Sequence, residues 1–92
     1  MFLHVGNQVT IKKEHIIAII DIDSDMTADG TKKYIKKMEK LGLVRVISNE
    51  LPKSLIITYD GKSQLCHVSP ISVATLRLRI NEGKELKNWK RS

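Results

Sequence analysis

The chain has 92 residues, a formal charge of +6 at neutral pH and one cysteine. That length holds a single domain with a thin core, the lone thiol rules out an internal disulfide framework, and no apolar run approaches the roughly 20 residues that cross a bilayer. The opening MFLHVGNQ lacks the basic-then-apolar pattern of a signal peptide, so a reducing, cytoplasmic setting is expected.

Phe2-Leu3-His4-Val5 reads as a strand and Gly6-Asn7 as a tight turn. Gln8 to Lys12 alternates polar and apolar residues, which places Val9 and Ile11 toward a core. His15 to Ile22 is the most apolar run, nearly continuous, as in a strand covered on both faces. Two arrangements fit it: a central strand under a helix, or a strand whose second face meets another subunit. Asp23 to Thr27 leaves the strand for a helix over about 28–41, capped by Thr27 or Asp29, with Gly30 delaying its regular part. Tyr34, Ile35, Met38 and Leu41 fall on one stripe of that helix. Gly42 is placed to end it in the left-handed conformation. Leu43 to Ile47 reads as a strand, and Ser48-Asn49-Glu50 as a loop.

Pro52 to Pro70 forms the centre of the pattern. Ser54-Leu55-Ile56-Ile57-Thr58-Tyr59 and Ser63 to Val68 flank Asp60-Gly61, which signals a hairpin with a type I′ turn. Pro52 closes the near end because it has no N–H for a central strand. Ser69 is expected to cap a short helix with Pro70 at its first position, carrying Ile71, Val73, Leu76 and Leu78. From Ile80 to Ser92 the chain is polar and basic, with Leu86 and Trp89 its large apolar groups there; it reads as a frayed helix or flexible tail. The expected fold is α+β: a small, mostly antiparallel sheet of about six strands, one main helix and a short C-terminal helix. Residues 1–79 make the domain and 80–92 a basic tail.

Charge is segregated along the chain. Residues 14–29 hold Glu14, Asp21, Asp23, Asp25 and Asp29 and no Lys or Arg; residues 30–45 hold Lys32, Lys33, Lys36, Lys37, Lys40 and Arg45 against Glu39 alone. Acids before a helix and bases along its later turns complement the helix dipole. The lysine pairs 32/36, 33/37 and 36/40 remain, and each costs up to about 0.5 kcal/mol of like-charge repulsion. Both a solvated face and a polyanion-binding face fit this pattern. Lysine is a point charge without base-reading geometry. Such a face would hold phosphates and leave sequence to DNA shape or to Arg45, Arg77 or Arg79.

No catalytic constellation is evident, and no cofactor or small-molecule substrate is implied. Asp21-Asp23-Asp25 begins like a calcium loop, but Met26 and Lys32 stand where Gly and Glu are required. Cys66 and His67 are neighbours on a strand, so they point to opposite faces and cannot act as nucleophile and base. His4, His15 and His67 have no zinc-site spacing. Trp89, within Lys87-Asn88-Trp89-Lys90-Arg91, either stacks on a base, sits at a membrane interface or folds back onto the body.

Four stretches carry a resemblance: Phe2-Leu3-His4-Val5-Gly6, His15-Ile16-Ile17-Ala18-Ile19, Leu51 to Thr58, and Val68-Ser69-Pro70. Together they resemble the small bacterial extracellular-matrix regulators of the RemA/RemB family, closer to the RemB branch, over roughly residues 1–79. The resemblance implies a DNA-binding transcription regulator of biofilm-matrix genes acting as a homo-oligomer, without catalysis. The RemA branch has an arginine-rich segment before the strand that here begins near Lys53. This chain has Asn49-Glu50-Leu51-Pro52-Lys53 there, and His15 where that branch has arginine. Those contacts carry over only at Lys53.

The expected DNA-backbone contacts are therefore Lys32, Lys33, Lys36, Lys37, Lys40 and Lys53, with Arg77 and Arg79 next. One alternative is a protein-interaction module whose acidic and basic segments pair with a partner or between subunits. Another is a peripheral membrane protein that uses the basic tail and Trp89.

Overall fold

The computed structural model of the chain describes residues 1–22 and 29–81. The elements follow as β1 (Phe2–Gly6), β2 (Val9–Lys12), a 3-10 turn (Lys13–His15), β3 (Ile16–Asp21), α1 (Asp29–Lys40), β4 (Val44–Val46), β5 (Ser54–Tyr59) and β6 (Gln64–Ser69). A second helix, α2, is helical through residues 73–81. This is the expected α+β architecture, with the strands divided between a β1-β2 hairpin and a four-stranded sheet in the order β3-β5-β6-β4. β5 pairs antiparallel with both β3 and β6, while β4 joins β6 in parallel. β3 and β4 therefore run the same way, and α1 links them as a split β-α-β unit.

Both faces of the sheet are apolar, and each has its own cover. On β5 the side chains alternate, and those of Ser54 to Thr58 are all buried. Leu55 and Ile57 pack with Cys66 and Met38 of α1 on one face. Ile56 packs on the other with Leu3, Val5 and Ile11 of the hairpin, Ile47, and Leu76 of α2. Full burial of one such aliphatic side chain contributes about 1.5–3 kcal/mol. Ser54 and Ser69 are cross-strand partners at the sheet's end. Their hydroxyls donate to the carbonyls of Ile71 (2.8 Å) and Val5 (2.7 Å), which ties the second cover down.

The apolar run of β3 forms an edge strand, not a central one. Its register jumps from Ile16↔Thr58 to Ala18↔Ile57, so Ile17 is the extra residue of a bulge. The jump lets Ile16 and Ile19 serve one core while Ala18, Ile20 and Ile22 serve the other. Ile17 is left 60% exposed. His15 precedes the strand, in the 3-10 turn.

Several turns depart from expectation. The positive φ pair of a type I′ turn lies at Asn7 (47°) and Gln8 (62°), one residue later than Gly6-Asn7. A second bulge between His4 and Gly6 carries Val5 into the core and turns Val9 outward, 37% exposed. The Asp60-Gly61 hairpin is present, but Tyr59 pairs with Gln64, leaving a four-residue loop. In that loop the Asp60 carboxylate accepts the N–H groups of Lys62 (2.8 Å) and Ser63 (3.0 Å). Only Gly61 has positive φ there, so the turn is not type I′. Ser69 stays in β6, and Ser72 caps α2 by accepting the Thr75 N–H at 3.2 Å. In α2, Leu76 and Ile80 lie four apart and face the core, while Leu78 lies about 200° around the helix from Leu76 and is 61% exposed.

Helix α1 includes Gly30, so its regular part does not start late. Of the two expected caps, Thr27 and the side chain of Asp29 lie outside the described residues. Its C-terminus is a Schellman motif: the Leu43 N–H donates to Met38 O and the Gly42 N–H to Glu39 O, both at 2.9 Å. Leu43 and Met38 then pack together in the core, whereas Leu41 points outward at 60% exposure. Gly42 has φ +72° and open space where a Cβ would sit. Gly42→Ala should therefore cost about 1–2 kcal/mol through backbone strain alone. Gln8→Gly should do the reverse, relieving strain at φ 62° by up to about 1 kcal/mol. Urea unfolding midpoints check both: the first falls and the second rises.

Candidate nucleic-acid interface

The inward stripe of α1 is Thr31, Tyr34, Ile35 and Met38. The same 3.6-residue period turns Lys32, Lys33, Lys36, Lys37 and Lys40 outward, and all five are exposed. Glu39 is the one acid among them, and no ion pair between described residues reaches any of the five lysines. From Lys32 to Lys40 the stripe runs for about 12 Å at 1.5 Å per residue. At the helix C-terminus the Arg45 guanidinium donates to the carbonyls of Gly42 (3.0 Å) and Val44 (3.3 Å), where a base complements the end of the helix dipole. On β4, Val44 faces α1 and Arg45 pairs with His67, so Arg45 leaves the strand on the face away from the lysine stripe.

The remaining expected contacts lie elsewhere. Lys53 is exposed at the end of the sheet, where its backbone bonds Ile22 and Ser69. Arg77 and Arg79 are on α2, across the sheet from α1. Arg79 donates to His4 O at 2.9 Å, which commits one guanidinium nitrogen to the hairpin. The structure thus brings the five helix lysines together and separates them from the two arginines.

Cys66 and His67 do face opposite sides of the sheet. The Cys66 side chain is fully buried on the α1 side, and burial pushes its thiol pKa up. Tyr34 lies beside it, raised mainly by burial, and accepts a hydrogen bond from the Gln64 amide. His67 Nε2 is 3.0 Å from the Thr58 hydroxyl on the other side. Burial lowers the His67 pKa first, and the nearby Arg45 charge lowers it further. Of the possible calcium loop, Asp23 and Asp25 lie outside the described residues. Among the described residues no three His, Cys, Asp or Glu side chains group to hold a metal, and no helix is long and apolar enough to cross a membrane.

Residues 2–80 match a family model described as RemA-like, extracellular matrix regulatory protein A-like. The match is to the family as a whole and does not separate its branches. A comparison with curated proteins finds none that matches.

The His67 environment sets a pH dependence. Its pKa is lower in the folded chain than the unperturbed value near 6.5. The unfolded chain therefore binds more protons in that range, and stability is lost as pH falls from about 7 through the folded pKa. Urea unfolding at pH 7 and pH 5 should show a drop that His67→Gln reduces. An equal drop in both proteins would assign the effect to other groups.

Proposed function

The chain belongs to the RemA-like family of extracellular matrix regulatory proteins, and from that membership we propose that it regulates matrix genes by binding DNA as a homo-oligomer. The observation that carries this reading is the exposed lysine stripe of α1 with no acidic partner among the described residues. A helix selected for stability alone gains from Glu–Lys pairs at i,i+4 and loses from Lys–Lys pairs. A DNA backbone removes that penalty by neutralising the ammonium groups.

The magnitudes favour several copies acting together. Over about 12 Å one DNA strand presents roughly three phosphates along the axis. One stripe then accounts for a salt slope of only about −2.7 in log–log terms, too little for tight binding at physiological salt. Repetition of the stripe by self-association multiplies the slope and the affinity. Exposed Phe2, Ile17, Leu51 and Leu78 supply apolar surface for such association. In the segment that precedes β5, Glu50 and Lys53 are both exposed and opposite in sign, so the contact falls to the helix.

The test is a triple variant, Lys33→Glu/Lys36→Glu/Lys37→Glu. Molar mass in solution should be unchanged, while affinity for duplex DNA at low salt falls at least tenfold. For every phosphate that each copy ceases to neutralise, the log–log salt slope should flatten by about 0.9. Unchanged DNA affinity in a variant of normal mass would remove α1 from the interface. Absence of DNA binding by the parent protein would leave a surface that docks protein.

A further inference from the structure

The tail from residue 82 onward, Trp89 included, lies outside the described residues. Within them, a cleft of about 290 Å³ opens on the face of the sheet turned away from the α1 lysine stripe. The hairpin packs on this face over Ile56, and Thr58, Leu65 and His67, which share the face, line the cleft beside it. Thr10, Ile11 and Lys12 of β2 and Phe2 of β1 line the opposite side. His15 of the 3-10 turn and Asp60 and Ser63 of the β5-β6 loop complete the lining.

We propose that this cleft binds a small organic phosphomonoester, its phosphate held by Lys12, His15 and the Thr58–His67 pair and its organic part lying against Ile11 and Leu65. The volume suits one small molecule. The groups a phosphate needs come from separate elements: the Lys12 ammonium from β2, the His15 imidazole from the 3-10 turn, and a hydroxyl and a second imidazole from β5 and β6. Thr58 is only 6% exposed, and its hydroxyl oxygen lies 3.0 Å from His67 Nε2. That bond uses one of the two polar hydrogens of the neutral pair, and in either tautomer the other is left to donate. No ion pair among the described residues reaches Lys12, His15 or His67. Asp60, the one acid of the lining, is bonded to its own loop, where a carboxylate oxygen accepts the Lys62 and Ser63 N–H groups. A phosphate monoester carries about two negative charges at neutral pH, so its bonds to these donors are charge-assisted. Ile11 and Leu65 add apolar surface that a bare phosphate could not use.

Other hollows fit this ligand less well. The groove along β4 is rimmed by Glu39 and Glu50, which repel phosphate. The hollow at the N-terminal end of α1, lined by Ile20, Thr31, Tyr34 and Ile57, has no cation on its lining. The α1 stripe carries more charge, but an exposed helix face has no wall for an organic group. The cleft and the stripe lie on opposite faces of the sheet, so this site stands apart from the reading of α1 as a DNA contact. A ligand in it bridges the hairpin to β5 and β6, and binding to the folded chain alone stabilises that packing.

The experiment is calorimetric titration of the full-length chain with phenyl phosphate at pH 7, in the absence of nucleic acid. Binding should saturate at one molecule per chain, at least tenfold tighter than inorganic phosphate, and phenol should not saturate. In the nuclear magnetic resonance spectrum the ring signals of His15 and His67 should move as phenyl phosphate is added. Thr58→Val and Lys12→Glu should each weaken binding at least fivefold while circular dichroism is unchanged. Thr58→Ser, which keeps the hydroxyl, should retain it, and so should Leu41→Gln at the outer end of α1. The proposal is overturned if phenyl phosphate does not saturate, if phenol binds equally well, or if a normally folded Lys12→Glu variant binds as the parent does. Displacement of bound phenyl phosphate by a short DNA duplex would assign the cleft to a nucleic-acid backbone and equally overturn it.

Discussion

A sheet that is apolar on both faces needs two covers, and most of this structure follows from that requirement. β5 sits inside the sheet with Leu55 and Ile57 on one side and Ile56 on the other. α1 covers the first side, and the β1-β2 hairpin with α2 covers the second. A domain of this size has little apolar area to spare, so neither cover is dispensable. Because α1 buries only one stripe, its outer surface is free to carry charge without touching the core.

The electrostatics of the two sides differ accordingly. On the outside of α1 lysines stand four apart and exposed to solvent, where repulsion is weak and screened by salt. On the inside the polar groups are few and matched: no buried side-chain nitrogen or oxygen among the described residues lacks a hydrogen-bond partner. Cys66 and His67, adjacent in sequence, are held in separate layers by the pleat of β6. That separation makes Cys66 a small core group and leaves His67 as a histidine whose neutral form suits its surroundings.

What could be read from the sequence was what depends on local pattern. The amphipathic period of α1, the stop at Gly42 and the two runs around Asp60-Gly61 are local, and each element stands where the pattern places it. The misread positions depend on register or on neighbours. A one-residue bulge reverses the facing of every residue beyond it, and two bulges, at Val5 and Ile17, decide that Val9 is exposed and that β3 serves two cores. Leu41 and Leu78 are apolar and near the right spacing, but the helix end and the helical angle turn them outward. Ser69 looks like a cap because Pro70 follows it; a hydrogen bond to distant Val5 keeps it in the sheet, and Ser72 takes the role. For the interface, the lysine stripe was legible as charge and spacing. The placement of Arg77 and Arg79 on the opposite layer was not, because only the topology sets which helix covers which face.

The bond from Ser69 to Val5 joins residues 64 apart, and the one from Arg79 to His4 joins residues 75 apart. The hairpin therefore rests on residues that follow it far along the chain, Ile47, Ile56 and Leu76 among them. During synthesis, which proceeds from the amino-terminal side, β1 and β2 are made before the residues they pack on. Until β5 and α2 follow, their cover is incomplete, and an isolated two-stranded ribbon is barely stable in water. The order of synthesis thus opposes the order of assembly, and non-local closure of this kind makes folding slow.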